Sequence, residues 1–208
     1  TYFGIESFNG YASLWPNKWV EFLAFARKNK QTEKLYNLYN IRFDIDKLAK
    51  TRKLEDRSRT MLPRVYTVHD VKQADWPDVL PLIFTNTFNP KTSAYVSEKI
   101  VVQPEKYNRD KINIKKYEDT FRQIDVSMTS TGLLAFSEHN YPGWKAKLDG
   151  QSTKIVDVNG IFMGVVVPEG NHEIEVYFAP KSVYLGMAIS GIALCFFGFI
   201  FIKEKFKN

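Results

Sequence analysis

The side chains best equipped for chemistry stand together in Glu138-His139-Asn140-Tyr141-Pro142-Gly143-Trp144. This run places an acid, an imidazole, an amide and two aromatic rings at a strand-to-turn junction. Aromatic faces stack on the C–H surfaces of sugars, and acids and amides take sugar hydroxyls. Glu138, Asn140, Tyr141 and Trp144 are therefore candidate substrate-binding residues for a glycan. A packing reading stands beside this one: Pro142-Gly143 makes the turn, Trp144 plugs the core and Tyr141 caps it. Glu173 and Glu175 share a strand face at roughly the separation a glycosidase carboxylate pair needs, but any solvated strand face alternates in this way.

Other chemistries leave no signature. His69, His139 and His172 are far apart, none in a ligand-spaced motif, so no metal site is expected. There is no Walker loop, no GxGxxG and no GxSxG, and no catalytic residue is assigned. The single cysteine, Cys195, excludes an intrachain disulfide. The 208 residues carry 29 basic and 23 acidic side chains, a formal charge of +6. The basic stretch 47–64 suits lipid headgroups or a phosphate-bearing carrier, or else a solvated loop.

The elements that must position these residues begin with an anchor. Val183 to Ile202 carries no charge, and roughly 20 apolar residues cross a bilayer as a helix. The tail 203–208 holds three lysines and one acid, which puts the C-terminus in the cytoplasm by the positive-inside rule. Residues 1–180 are then extracytoplasmic, and nucleic acid is not an expected partner. The chain opens on Thr1 without a signal sequence, so it is expected to be the C-terminal piece of a polytopic protein.

Trp19, Phe22, Leu23 and Ala26 follow i, i+3, i+4, i+7 spacing and predict an amphipathic helix. A second helix is expected from Thr32, as N-cap, through Leu38, with Asn40 closing it. Ile41, Phe43 and Ile45 alternate as a strand does. Residues 47–60 read as an exposed loop or polar helix. Strands are expected at 62–68 and 93–96, with a helix from Asp75 to Phe84 that Pro81 would kink or end. From about residue 110 the pattern becomes all-β. Asp149-Gly150 and Asn159-Gly160 are hairpin dipeptides, and Gly170-Asn171 is a third turn signal. Strands are expected at 120–128, 133–137, 144–148, 152–158, 161–167 and 172–178. The fold class is therefore α+β. A small mixed α/β segment (1–109) precedes an antiparallel β-sandwich (110–180), a transmembrane helix (183–202) and a cytoplasmic tail (203–208).

The run Tyr141-Pro142-Gly143-Trp144-Lys145-Ala146-Lys147-Leu148-Asp149-Gly150 resembles the "YPGW-x-x-x-x-DG" signature of the bacterial YfhO family of polytopic membrane proteins. Asn159 to Val165 and Val167 to His172 resemble the family segments downstream of that signature. Leu35 to Phe43, Leu62-Pro63-Arg64-Val65-Tyr66 and Gly10 to Leu14 resemble upstream family segments. Phe88-Asn89-Pro90 is similar to the family's "FDP", with Asn89 in place of the acid. The resemblance implies an extracytoplasmic domain followed by the last span of a C-type glycosyltransferase. Such an enzyme uses a polyprenyl-phosphate sugar as donor and acts on cell-envelope polymers. The catalytic acid of that superfamily lies upstream, so this chain alone is expected to hold no cofactor and to be inactive. The partners implied are the membrane and an envelope glycan or lipid-linked sugar. A glycan-binding module without catalysis, or a structural domain that contacts partner proteins, are the alternatives.

Overall fold

The computed structural model describes residues 17–45, 54–103 and 109–205. The Gly10–Leu14 segment, much of the 47–60 basic run and the tail end 206–208 lie outside these residues.

Helix α1 (Asn17–Lys28) buries Trp19, Phe22, Leu23 and Ala26, the face its periodicity predicts, and ends on Arg27 and Lys28, favourable at a helix C-terminus. Helix α2 (Thr32–Leu38) buries Leu35 and Leu38. Its cap position is Gln31 rather than Thr32, without a side-chain cap, and Asn40 turns the chain at φ 56°. Strand β1 (Phe43–Ile45) pairs antiparallel with β2 (Leu54–Asp56). Part of the stretch expected as loop or polar helix is thus a strand, because β1 offers it an edge.

Strands β3 (Val65–Val68) and β4 (Asp70–Gln73) lead to a short helix α3 (Val79–Ile83) and to β5 (Ser93–Val96). The helix expected from Asp75 starts four residues later. Pro81 then falls within its first turn, where its missing N–H has no helical partner to lose. Strands β6 (Lys111–Tyr117), β7 (Phe121–Met128), β8 (Gly132–His139) and β9 (Trp144–Leu148) come next. After them come β10 (Gln151–Thr153), β11 (Val156–Val158), β12 (Phe162–Val167), β13 (Gly170–Phe178) and α4 (Lys181–Lys205).

These strands form a five-stranded sheet, β10-β9-β13-β7-β6, and a six-stranded sheet, β3-β8-β12-β11-β5-β4. All pairs in them are antiparallel except β4 with β5. The six-stranded sheet takes strands from both sides of residue 110. Its two edges, β3 and β4, are separated in sequence by His69 alone, so the sheet must curl until those edges meet there. The single strand expected over 152–158 divides: β10 stays with β9, and β11 joins the other sheet. Gln151 and Ser152 are exposed, whereas Val156 and Val158 are buried in the apolar cluster that the six-stranded sheet shares with the helices.

Strand β12 has apolar neighbours on both faces. Phe162 faces a cluster shared with α1, α2 and α3, while Met163, Val165 and Val167 face the core between the sheets. The fold is therefore layered as helices, curled sheet, second sheet. Phe162 links the first two layers, with its ring 5.9 Å from Phe22 and 5.0 Å from Tyr39 between centroids. Phe162→Ala is expected to destabilise the chain by about 3–5 kcal/mol through the cavity it leaves, read by urea unfolding of the detergent-solubilised protein. A loss within about 0.5 kcal/mol, the ordinary range for a surface change, would contradict this layering.

Candidate functional site

The four candidate residues lie at one end of the sandwich, where β8 ends, β9 begins and β13 runs into α4. Only Ala179 and Pro180 separate Phe178, the last residue of β13, from α4. The 141–144 turn is bolted onto this junction. The Ala179 N–H donates to the Gly143 carbonyl at 2.7 Å. Trp144 meets the Phe178 ring edge-on at 5.3 Å, and Tyr141 lies 6.4 Å from it. Gly143 sits at φ +120°, and a Cβ there would stand 2.8 Å from the Phe178 ring and 3.0 Å from Pro180. Glycine is required at this position by both conformation and space.

The structure brings Glu138 and Trp144 into one cluster, joined there by two residues whose role is not evident from local sequence. Arg122 holds Glu138 bidentately, with Nη2 at 3.0 and 2.8 Å from the two carboxylate oxygens and Nε at 3.1 Å. The Tyr117 hydroxyl also donates to Glu138. The guanidinium lies 4.3 Å from the Tyr117 ring centroid and 5.2 Å from that of Trp144. Burial and the Glu138 charge push the Tyr117 phenol up to about 12. The Arg122 side chain is only 6% exposed, so removing either partner strands a buried charge, which costs about 3–5 kcal/mol in comparable pairs. The sequence does carry one signal for Arg122. It shares its strand face with Ile124, Val126 and Met128, where an arginine must find a buried partner.

Asn140 points elsewhere: its amide donates to Asp157 at 2.6 Å, and Asp157 also pairs with Lys18 at 3.1 Å. Tyr141 alone of the four is open, at 51% exposure. Trp144 is half-buried against the inter-sheet core. His139, between Glu138 and Asn140, is enclosed by the rings of Trp19, Tyr39 and Phe162. The Tyr39 hydroxyl contacts its Nε2.

The opposite end of the sandwich is closed by a second polar cluster. His69 Nε2 lies 2.7 Å from Asp110 and its Nδ1 lies 3.1 Å from the Ser130 hydroxyl. Burial raises the Asp110 carboxyl, but the Thr129 N–H, His69 and the Thr67 and Thr129 hydroxyls outweigh it and hold the group below its ordinary range. Ser130 is buried and its hydroxyl also reaches the Gln103 carbonyl at 3.3 Å. The trio has the residue types of a hydrolase triad, yet it works as a fastener between the sheets. Among the described residues, no three His, Cys, Asp or Glu side chains gather as metal ligands.

This assembly is a two-sheet β domain rooted directly on an apolar helix. Residues 181–199 of that helix are exposed and long and apolar enough to cross a membrane. Residues 97–190, somewhat under half of the chain, match the family model described as bacterial membrane protein YfhO, which marks this stretch as a region similar to that family. No curated protein and no solved structure matches the chain.

Burial pushes His139 down to about 4 from its ordinary 6.5. The fold therefore holds it neutral, whereas the unfolded chain takes up its proton near pH 6.5. Between these values the unfolded state binds more protons. The His139 contribution is thus complete above about pH 6.5 and lost as pH falls toward about 4, on the order of 3 kcal/mol in all. Urea unfolding at a series of pH values is expected to show a flatter slope in this window for His139→Phe than for the unaltered chain. Equal slopes would contradict the enclosed neutral imidazole.

Proposed function

We propose that the chain is the C-terminal extracytoplasmic domain and last span of a lipid-carrier-dependent glycosyltransferase that acts on cell-envelope polymers. The observation that carries this reading is the extent of the family match. Residues 97–190 take in every strand from β6 to β13 and the first ten residues of α4, so the match joins the five-stranded sheet and strands β8, β11 and β12 of the other sheet to the start of the apolar helix. The parent protein would transfer a sugar from a polyprenyl-phosphate carrier, with its catalytic acid upstream of this chain. The domain itself contributes no catalytic residue; it shapes the acceptor side. Ligand contact centres on Tyr141 and the accessible edge of Trp144, because Glu138 is engaged by Arg122 and Tyr117, and Asn140 by Asp157.

The test is a deletion of the gene for the complete protein in its native bacterium, with sugar analysis of the purified envelope polymers. A selective loss of one sugar, restored by re-expression, is the expected outcome. Unchanged composition would contradict the transferase reading. In the same cells, a cysteine placed at Asn171 is expected to react with a membrane-impermeant maleimide without permeabilisation; protection until permeabilisation would overturn the extracytoplasmic placement.

A further inference from the structure

We infer that the helix end of the sandwich rests on the bilayer surface, with Tyr141 as an aromatic anchor among phospholipid headgroups. This rests on reading α4 as a membrane span and goes beyond the transferase reading, which does not require it. The geometry is carried by the junction. From Phe178 to Val183, the first apolar residue of the span, the chain has two extended residues and the first helical ones. Extended residues rise at most about 3.6 Å each and helical ones 1.5 Å, so the two points lie at most about 12 Å apart. The headgroup layer is about 6 Å deep on each side of the hydrocarbon. A tyrosine packed against Phe178 therefore has its ring within a side chain's length of that layer.

The residues at this end suit such a surface. Tyrosine is enriched where one part of a ring meets hydrocarbon and the other meets water. Tyr141 is half exposed, and the next residue, Pro142, is exposed as well. Tyr184, in the first turn of α4, is 60% exposed and offers a second ring at the start of the span. The β6–β7 turn flanks the junction from the other side, where the Phe178 N–H donates to the Thr120 carbonyl at 2.9 Å. Lys116, Lys145 and Lys181 are exposed around this end and can reach lipid phosphates. Glu118 and Asp119, at the tip of the β6–β7 turn, offset most of that charge, so the anchoring is chiefly aromatic. A ligand that meets Tyr141 would then be borne by the bilayer, as a phosphate-bearing lipid is, rather than free in solution.

The test uses the full chain, with Cys195→Ser, reconstituted in phosphatidylcholine–phosphatidylglycerol vesicles. Single cysteines at Pro142, beside an intact Tyr141, and at Asn171 and Ile192 carry the same small fluorophore. Pro142 is exposed, and Asn171 is exposed and lies seven residues up β13 from Phe178, about 23 Å along the strand. Lipids with a nitroxide on the headgroup are expected to quench the label at 142 several-fold more than the label at 171, and Tyr141→Ala is expected to lower that quenching. Acyl-chain nitroxides should quench the label at 192. Equal headgroup quenching at 142 and 171, or quenching at 142 unchanged by Tyr141→Ala, with 192 quenched by acyl nitroxides, would overturn the anchoring while the span stands. An unquenched label at 192 would remove the span and the anchoring together.

Discussion

The contact of the 141–144 turn with the end of β13 is the constraint on which the rest of the molecule turns. It joins three things that would otherwise move separately: the exit of β8 from the curled sheet, the start of β9 in the second sheet, and the root of α4. The contact is tight because Gly143 lets the backbone approach the Phe178 ring and Pro180 closer than any side chain would allow. The bond from the Ala179 N–H to the Gly143 carbonyl then fixes the chain where strand becomes helix. With two residues between β13 and α4, there is little linker to absorb motion, so the orientation of the domain is set by the turn.

Behind this turn, the two sheets are fastened at both ends by buried polar groups. Arg122 and Glu138 bridge β7 to β8 near the helix, and His69, Asp110 and Ser130 close the far end. The two fasteners are polar where the intervening layer of Ile124, Val126, Phe136, Val165 and Ile174 is apolar. Hydrophobic burial supplies the driving force for stacking the sheets. The polar pairs fix their relative placement, because a displaced register would leave a charge buried without its partner. His139 belongs to a different join, the aromatic enclosure that holds α1 and α2 against the curled sheet. It couples that layer to pH.

Legible and hidden features of the sequence divide along the range of the interactions involved. The buried face of α1 is legible, since Trp19, Phe22, Leu23 and Ala26 repeat at helical period. Asp149-Gly150 is legible because both residues need positive φ, and they take 51° and 78°. The apolar run of α4 needs only counting. Pairings between distant strands are not legible. Nothing local in Ser152–Val158 says that its halves belong to different sheets, and nothing in Val65–Gln73 says that one residue joins two sheet edges. At the candidate site, Tyr141, Gly143 and Trp144 are visible as a turn with aromatics. Tyr117 is hidden, and Arg122 shows only as an arginine on an apolar strand face, because their partner Glu138 is set opposite them only when β7 and β8 face each other across the core.

The placement of these groups makes the turn a joint between domain and membrane helix, and any role in acceptor handling depends on that joint being rigid. The most direct test is hydrogen exchange and urea unfolding of Gly143→Ala in the full chain. A destabilisation of about 2 kcal/mol is expected, as for any side chain forced into a positive-φ, crowded site, together with loss of exchange protection at the Ala179 amide. A variant that matches the unaltered protein in stability and keeps the Ala179 amide protected would contradict it.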